Sequence, residues 1–194
     1  MRAFIAFEIE EAVRRRAAQI SRALAAAFDP RGHGRAVAWV PPQNLHLTLK
    51  FLGEIDEGVL ERVKERLAVP FSTPPFEIDF SGLGTFPPAG PPRVIWLGVS
   101  AGARAVSDVA RDVEARLSDL GFPREARGFH AHLTLGRVKG PVGARVREAM
   151  ASVGVADAGC CLVDRVTLFE SRLSPSGASY SVLAAPRLGY HQTS

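Results

Sequence analysis

The chain has 194 residues, 46% of them apolar and 23% charged, which is enough for one core of ordinary size shared by one domain or two small lobes. Lys and Arg outnumber Asp and Glu by 24 to 20, and the net charge of +4 suits a phosphate-bearing partner without requiring one. No apolar run approaches the ~20 residues of a membrane span, and the opening MRAFIAFEIEE turns acidic too early for a secretory apolar core, so a soluble cytoplasmic protein is expected.

In chain order, residues 2–9 read as a strand, and Val13, Ala17, Ile20, Leu24 and Phe28 then recur at helical spacing as one apolar stripe. A short strand over residues 36–40 stops at Pro41 and Pro42, and NLHLTLKFLGE follows as a second strand ending at Gly53. Leu60, Val63 and Leu67 mark a helix closed by Pro70. Residues 76–86 and 93–100 are strands on either side of the turn PPAGPP. They lead to a helix with Val106, Val109, Val113, Leu117 and Leu120 on one face. HAHLTLGRVKG is the next strand, and Val142, Val146, Met150 and Val153 indicate a fourth helix. Residues 160–171 and 179–186 are expected to close the chain as a hairpin around LSPSG. Cys160 and Cys161, adjacent on that strand, point to opposite faces, cannot bridge each other, and read as reduced core thiols.

Both halves therefore run strand, helix, histidine strand, helix, long strand, and HLTL occurs once in each. This is an internal duplication, with repeats over about residues 1–92 and 93–194 inside one domain spanning 1–194, and it predicts a bilobal α+β body. By strand alternation His46 and Thr48 share a face, as do His132 and Thr134, while Leu45, Leu47, Leu49, Phe51, Leu133 and Leu135 point to the core. Two imidazoles and two hydroxyls can then face each other across a cleft. In-line displacement at a phosphodiester needs a base on the attacking water and an acid on the leaving oxygen, on opposite sides of phosphorus. A neutral and a protonated histidine coexist near neutral pH and can take those parts. Threonine hydroxyls can donate to the non-bridging oxygens.

HLTLKFLG at His46 and HAHLTLGRVK around His132, together with RAFIAFEI, WVPPQNLHLTLKFLGE, FPPAGPPRVIWLGV and LFESRLSPSGASY, resemble the two-histidine phosphoesterase superfamily, specifically its RNA 2',3'-cyclic phosphodiesterases, also called 2'-5' RNA ligases. The resemblance covers nearly the whole chain. It implies antiparallel sheets lining a central cleft, no cofactor or metal, and hydrolysis of a terminal 2',3'-cyclic phosphate to a 2'-phosphomonoester, with 2'-5' joining as the reverse. It further implies His46 as general acid to the leaving 3' oxygen and His132 as general base to water. Family members often have Pro before the second histidine, where this chain has Ala131.

Other residues compete for parts. His130 shares the parity of His132, so a zinc site of His46, His130 and His132 is a rival, although it leaves the threonines unexplained. Arg137 could clamp a phosphate, but alternation turns it away from His132 unless a bulge intervenes; Lys50 has the parity of His46 and lies near the cleft edge. Trp39, Phe86, Phe129 and Tyr180 are candidates for stacking a terminal base, whereas Trp96 reads as core. Arg14 to Arg16 read as a solvated face, and GLGTF and SPSG are too short for nucleotide loops. The expected partner is an RNA 3' end or a small cyclic nucleotide, met by a monomer. An RNA-end binding module without turnover is the alternative, against which the matched acid and base weigh.

Overall fold

The computed structural model describes residues 1–28, 36–123, 128–140, 143–175 and 177–189. Nine strands and four α-helices follow in the order β1 (Arg2–Glu8), α1 (Glu11–Phe28), β2 (Val37–Trp39), β3 (His46–Glu54), α2 (Glu57–Ala68), β4 (Phe76–Phe86), β5 (Val94–Ala101), α3 (Ala103–Arg116), β6 (His132–Val138), α4 (Gly143–Val153), β7 (Asp157–Val163), β8 (Thr167–Ser174) and β9 (Gly177–Ala184). One sheet runs β3-β1-β8-β9 and the other β2-β6-β5-β4-β7, and all their pairings are antiparallel. The α+β bilobal architecture read from the sequence is the one found.

Both sheets draw strands from both halves of the chain. In the first, β3 and β1 lie beside β8 and β9; in the second, β2 and β4 flank the β6-β5 pair, with β7 outermost beside β4. The expected closing hairpin is therefore corrected. Residues 160–171 are split between β7, which pairs with β4, and β8, which pairs with β1 and β9. Only β8 and β9 form a hairpin; Ser176 in its turn and Val142 in the fourth apolar stripe lie outside the described residues. The pairing with β4 also explains the cysteines. Cys161 is buried and its thiol pKa is pushed up to about 11 by that burial, whereas Cys160 is exposed and is not a core thiol.

The helical stripes behave as read. Val13, Ala17, Ile20, Leu24 and Phe28 of α1 are buried, as are Leu60, Val63 and Leu67 of α2 and Val106, Val109 and Val113 of α3. The α2 start is fixed by Asp56, whose carboxylate accepts the Val59 N–H at 2.8 Å. Leu117 and Leu120 fall beyond α3, at a short 3-10 turn over Ser118–Leu120.

Strict alternation fails just past the threonine in each histidine strand, and once more at Leu52 in β3. Along β3, Thr48 pairs with Ala6 and Lys50 with Ile5, which leaves Leu49 without an opposite number. Along β6, Thr134 pairs with Trp96 and Gly136 with Ile95, which leaves Leu135 unpaired. A β-bulge puts two successive residues on one face and inverts the parity of everything after it. Leu49 and Lys50 are accordingly both buried, and Phe51 is 59% exposed. This corrects two expectations, since Phe51 is not core and Lys50 is not at the cleft edge. The Lys50 ammonium, 3% exposed, donates instead to Glu114 Oε2 on α3 at 2.6 Å and to the Pro123 carbonyl at 3.1 Å.

That ion pair fastens β3 to α3, the helix packed against it. Removing its acid strands a buried ammonium, and a fully buried pair broken this way costs about 3–5 kcal/mol. Glu114 is 28% exposed, so water can take part of its place. Glu114→Ala should therefore lower unfolding free energy by about 2 kcal/mol in urea titration, whereas a change under about 0.5 kcal/mol would mean the pair contributes nothing.

Candidate active site

The principal cavity, about 570 Å³, opens between the sheets, and its walls carry His46, Thr48, Thr134 and Arg137. His132 stands just outside that lining, near enough to His46 for the charge of one ring to lower the proton affinity of the other. The two histidines begin their strands, His46 on β3 opposite Glu8 and His132 on β6 opposite Gly98. In both, the ring is half-buried and Nδ1 lies 2.7 Å from the carbonyl oxygen two residues earlier, that of Asn44 for His46 and that of His130 for His132. A carbonyl only accepts, so Nδ1 carries the proton in each ring and Nε2 is left for a ligand. The duplicated chain thus sets the same tautomer twice with backbone alone. On the first side Asn44 is held in turn, its Nδ2 donating to the Ala178 carbonyl at 2.7 Å.

The bulge at Leu135 supplies what Arg137 needs. It turns the guanidinium out of the core and into the cavity, where its charge acts on His46, His132 and Tyr180 alike. Among the described residues no carboxylate lies within ion-pair reach of it. Both imidazoles are pushed below their ordinary value of 6.5, first by burial, with Arg137 and a second histidine adding repulsion and the carbonyl bonds opposing. Both rings therefore favour the neutral form at neutral pH.

Aromatic side chains back each ring. His46 packs on Phe4 at 4.7 Å and edge-on against Tyr180 at 5.2 Å between centroids. His132 meets Phe86 at 5.0 Å, and Phe86 in turn lies 5.3 Å from Trp96. Trp96, read as core, is only half-buried; its indole lies over Gly84, where a Cβ would come within 2.1 Å of the ring. Exposed His130 sits 4.8 Å from Trp96 and 6.1 Å from His132, so it belongs to this aromatic group at the rim. Trp39 and Phe129 pack against the main core instead of the cleft. Arg15 and Arg16 are exposed, and Arg14 donates to the Ile9 carbonyl. Among the described residues no group of three or more His, Cys, Asp or Glu is placed to hold a metal ion, so the three-histidine zinc site is not assembled. Sequence reasoning missed Asn44, Phe4 and Arg2 in the cavity wall.

Comparison with known proteins places these features in a lineage. The family described as LigT-like phosphoesterase matches the chain twice, over residues 8–96 and 97–180. A protein of Methanothermobacter thermautotrophicus named RNA 2',3'-cyclic phosphodiesterase is 35% identical over 190 residues, covering 97% of this chain and 99% of its own. One of the same name from Archaeoglobus fulgidus is 41% identical over 140 residues, 72% of this chain and 73% of its own. Among solved structures, Escherichia coli LigT complexed with 3'-AMP superposes with a TM-score of 0.73 at 25% identity, covering 97% of this chain and 98% of that one. A Thermus thermophilus protein superposes with a TM-score of 0.71 at 30% identity, with the same coverage.

In the free protein, NMR titration should find both His46 and His132 protonating below pH 6.5, and Arg137→Gln should move both values upward by removing a shared repulsive charge. Because the unfolded rings bind protons more readily than the folded ones, stability should fall as pH drops below 6.5. Values that stay put in Arg137→Gln would place the guanidinium away from the rings.

Proposed function

The chain belongs to the LigT-like phosphoesterase family, and we propose that its RNA 2',3'-cyclic phosphodiesterase activity runs on His46 and His132 as a metal-independent acid and base. The observation that carries this reading is the matched pair itself: two half-buried imidazoles, each with Nδ1 committed to a backbone carbonyl and Nε2 open, on equivalent strands of two sheets.

Nε2 of His132 takes a proton from water as its oxygen attacks phosphorus, opposite the O3' oxygen. The P–O3' bond breaks, Nε2 of His46 delivers a proton to O3', and a 2'-phosphomonoester remains. Thr48 and Thr134 donate to the non-bridging oxygens, and the Arg137 guanidinium in the cavity wall, with no carboxylate in ion-pair reach among the described residues, neutralises the charge that builds there. His130 borders this group as a rim contact, while Lys50, tied to Glu114, takes no part. With an RNA 5' hydroxyl in place of water as the nucleophile, the same groups would join it to a 2',3'-cyclic phosphate end, forming a 2'-5' phosphodiester as the P–O3' bond breaks and O3' takes the proton. The two family matches support a single domain of two repeats divided near residue 92. A site complete in one chain and two free cysteines fit a cytoplasmic monomer. No helix among the described residues is long and apolar enough to cross a membrane.

The preference for neutral rings has a kinetic consequence. The productive free enzyme carries one proton on the pair, so kcat/KM against pH should be bell-shaped with its maximum below pH 6.5. Bound anionic phosphate favours an imidazolium, so the kcat profile should lie at higher pH. A kcat/KM that rises steadily through pH 8 would contradict this pairing.

Hydrolysis of an RNA ending in 2',3'-cyclic phosphate should proceed undiminished in EDTA and give the 2'-phosphate alone, whereas loss on chelation or a 3'-phosphate product would overturn the mechanism. Thr48→Val and Thr134→Val each remove one donor to a charged oxygen and should lower kcat/KM about ten- to hundredfold.

A further inference from the structure

The cavity does not end at the phosphate. Its lining continues past Phe51 and Tyr180 to Arg2, Ser171 and Leu173 at the far end of the first sheet. Arg2, Phe4, Ala6 and Glu8 share one face of β1 by alternation. This is the face on which Phe4 and Ala6 pack with Phe169 and Tyr180, apart from the main core. By register six residues of β1 run from Glu8, opposite His46, to Arg2, opposite Glu54 and Ser171, so Arg2 is two residues past Phe4, whose ring packs on His46.

Three features of this far end point to a ligand. Arg2 has no carboxylate within ion-pair reach among the described residues. Phe51 and Leu173, which line the same cavity, are 59% and 65% exposed, which is unusual for large apolar side chains. The bulge in β3 is what brings Phe51 to this wall, at the place where β6 presents Arg137. The cleft is therefore asymmetric along the cyclic end, with its phosphate-facing cation on one strand and an open apolar surface on the other. An RNA terminating in a cyclic phosphate has all its remaining phosphates on one side of the terminal sugar, so any further cation in the same cleft faces the upstream chain.

We propose that Arg2, Phe51 and Leu173 form a second subsite that grips the RNA strand upstream of its cyclic end, Arg2 taking a phosphodiester and the two apolar side chains the faces of bases. The inference rests on the cyclic phosphodiesterase reading and narrows its substrate to polynucleotide ends over free cyclic nucleotides.

The test compares adenosine 2',3'-cyclic phosphate with an octanucleotide ending in the same residue, using wild type, Arg2→Gln and Arg2→Lys over a range of salt. Wild type should favour the octanucleotide at least about tenfold in kcat/KM, and Arg2→Gln should erase most of that through KM while Arg2→Lys retains it. One lost phosphate contact should also flatten the salt dependence of octanucleotide kcat/KM by about 0.7 in log–log slope. An equal loss on both substrates, or none on the octanucleotide, would overturn the subsite. Wild type that hydrolyses both equally well would overturn it while leaving the phosphodiesterase reading intact. Wild type that turns over neither would sink both.

Discussion

Just past its threonine each histidine strand skips a leucine in its register, Leu49 in β3 and Leu135 in β6, and the chemistry of the cleft depends on what those two residues do to strand parity. An unbroken strand would present His, Thr and the residue four after His to the cleft, and would bury the fifth. The bulge reverses this just past the threonine. It sends the Lys50 ammonium inward to Glu114 and Pro123, where it fastens β3 to α3, and it brings Phe51 and Arg137 outward. One local device, used twice, converts an ordinary buried strand into one that holds its ring, its hydroxyl and its fifth residue over the same space. Because the two fifth residues differ, a duplicated scaffold yields a site with distinguishable sides.

The electrostatics follow from that placement. Burial disfavours imidazolium in both rings, and Arg137 and the neighbouring histidine push in the same direction. On the acid and base roles proposed for the pair, an anionic cyclic phosphate would offset Arg137 and return proton affinity to a ring nearby. Rigidity comes from the backbone: the carbonyls of Asn44 and His130 hold both tautomers, and Asn44 is itself anchored to β9 through Ala178. Groups held this way need little reorganisation during reaction.

Most of the secondary structure was legible because helical stripes and apolar strands report local burial. The histidine pair was legible because it occurs twice. What escaped was non-local. Nothing in residues 160–171 announces that β7 pairs with β4 while β8 crosses to the other sheet, and the exposure of Cys160 follows from that division. Lys50 and Phe51 were misplaced for one reason, a bulge that no turn residue marks, since Leu49 and Lys50 are ordinary strand residues. Arg137 was left needing a bulge, and the pairing of Gly136 with Ile95 supplies it. Trp96 read as core from its apolar neighbours, yet its seat over Gly84 depends on a contact with another strand.

The central claim is that His46 and His132 act together in one transition state. A double-mutant cycle on kcat/KM for an RNA 2',3'-cyclic phosphate end, using His46→Ala, His132→Ala and the pair, tests it most directly. Partners that act as a unit should each cost at least about 10²-fold alone, and the double variant should fall little further than the worse single. Fully multiplicative losses, or one single variant with near-normal turnover, would contradict the account and reduce one histidine to a bystander.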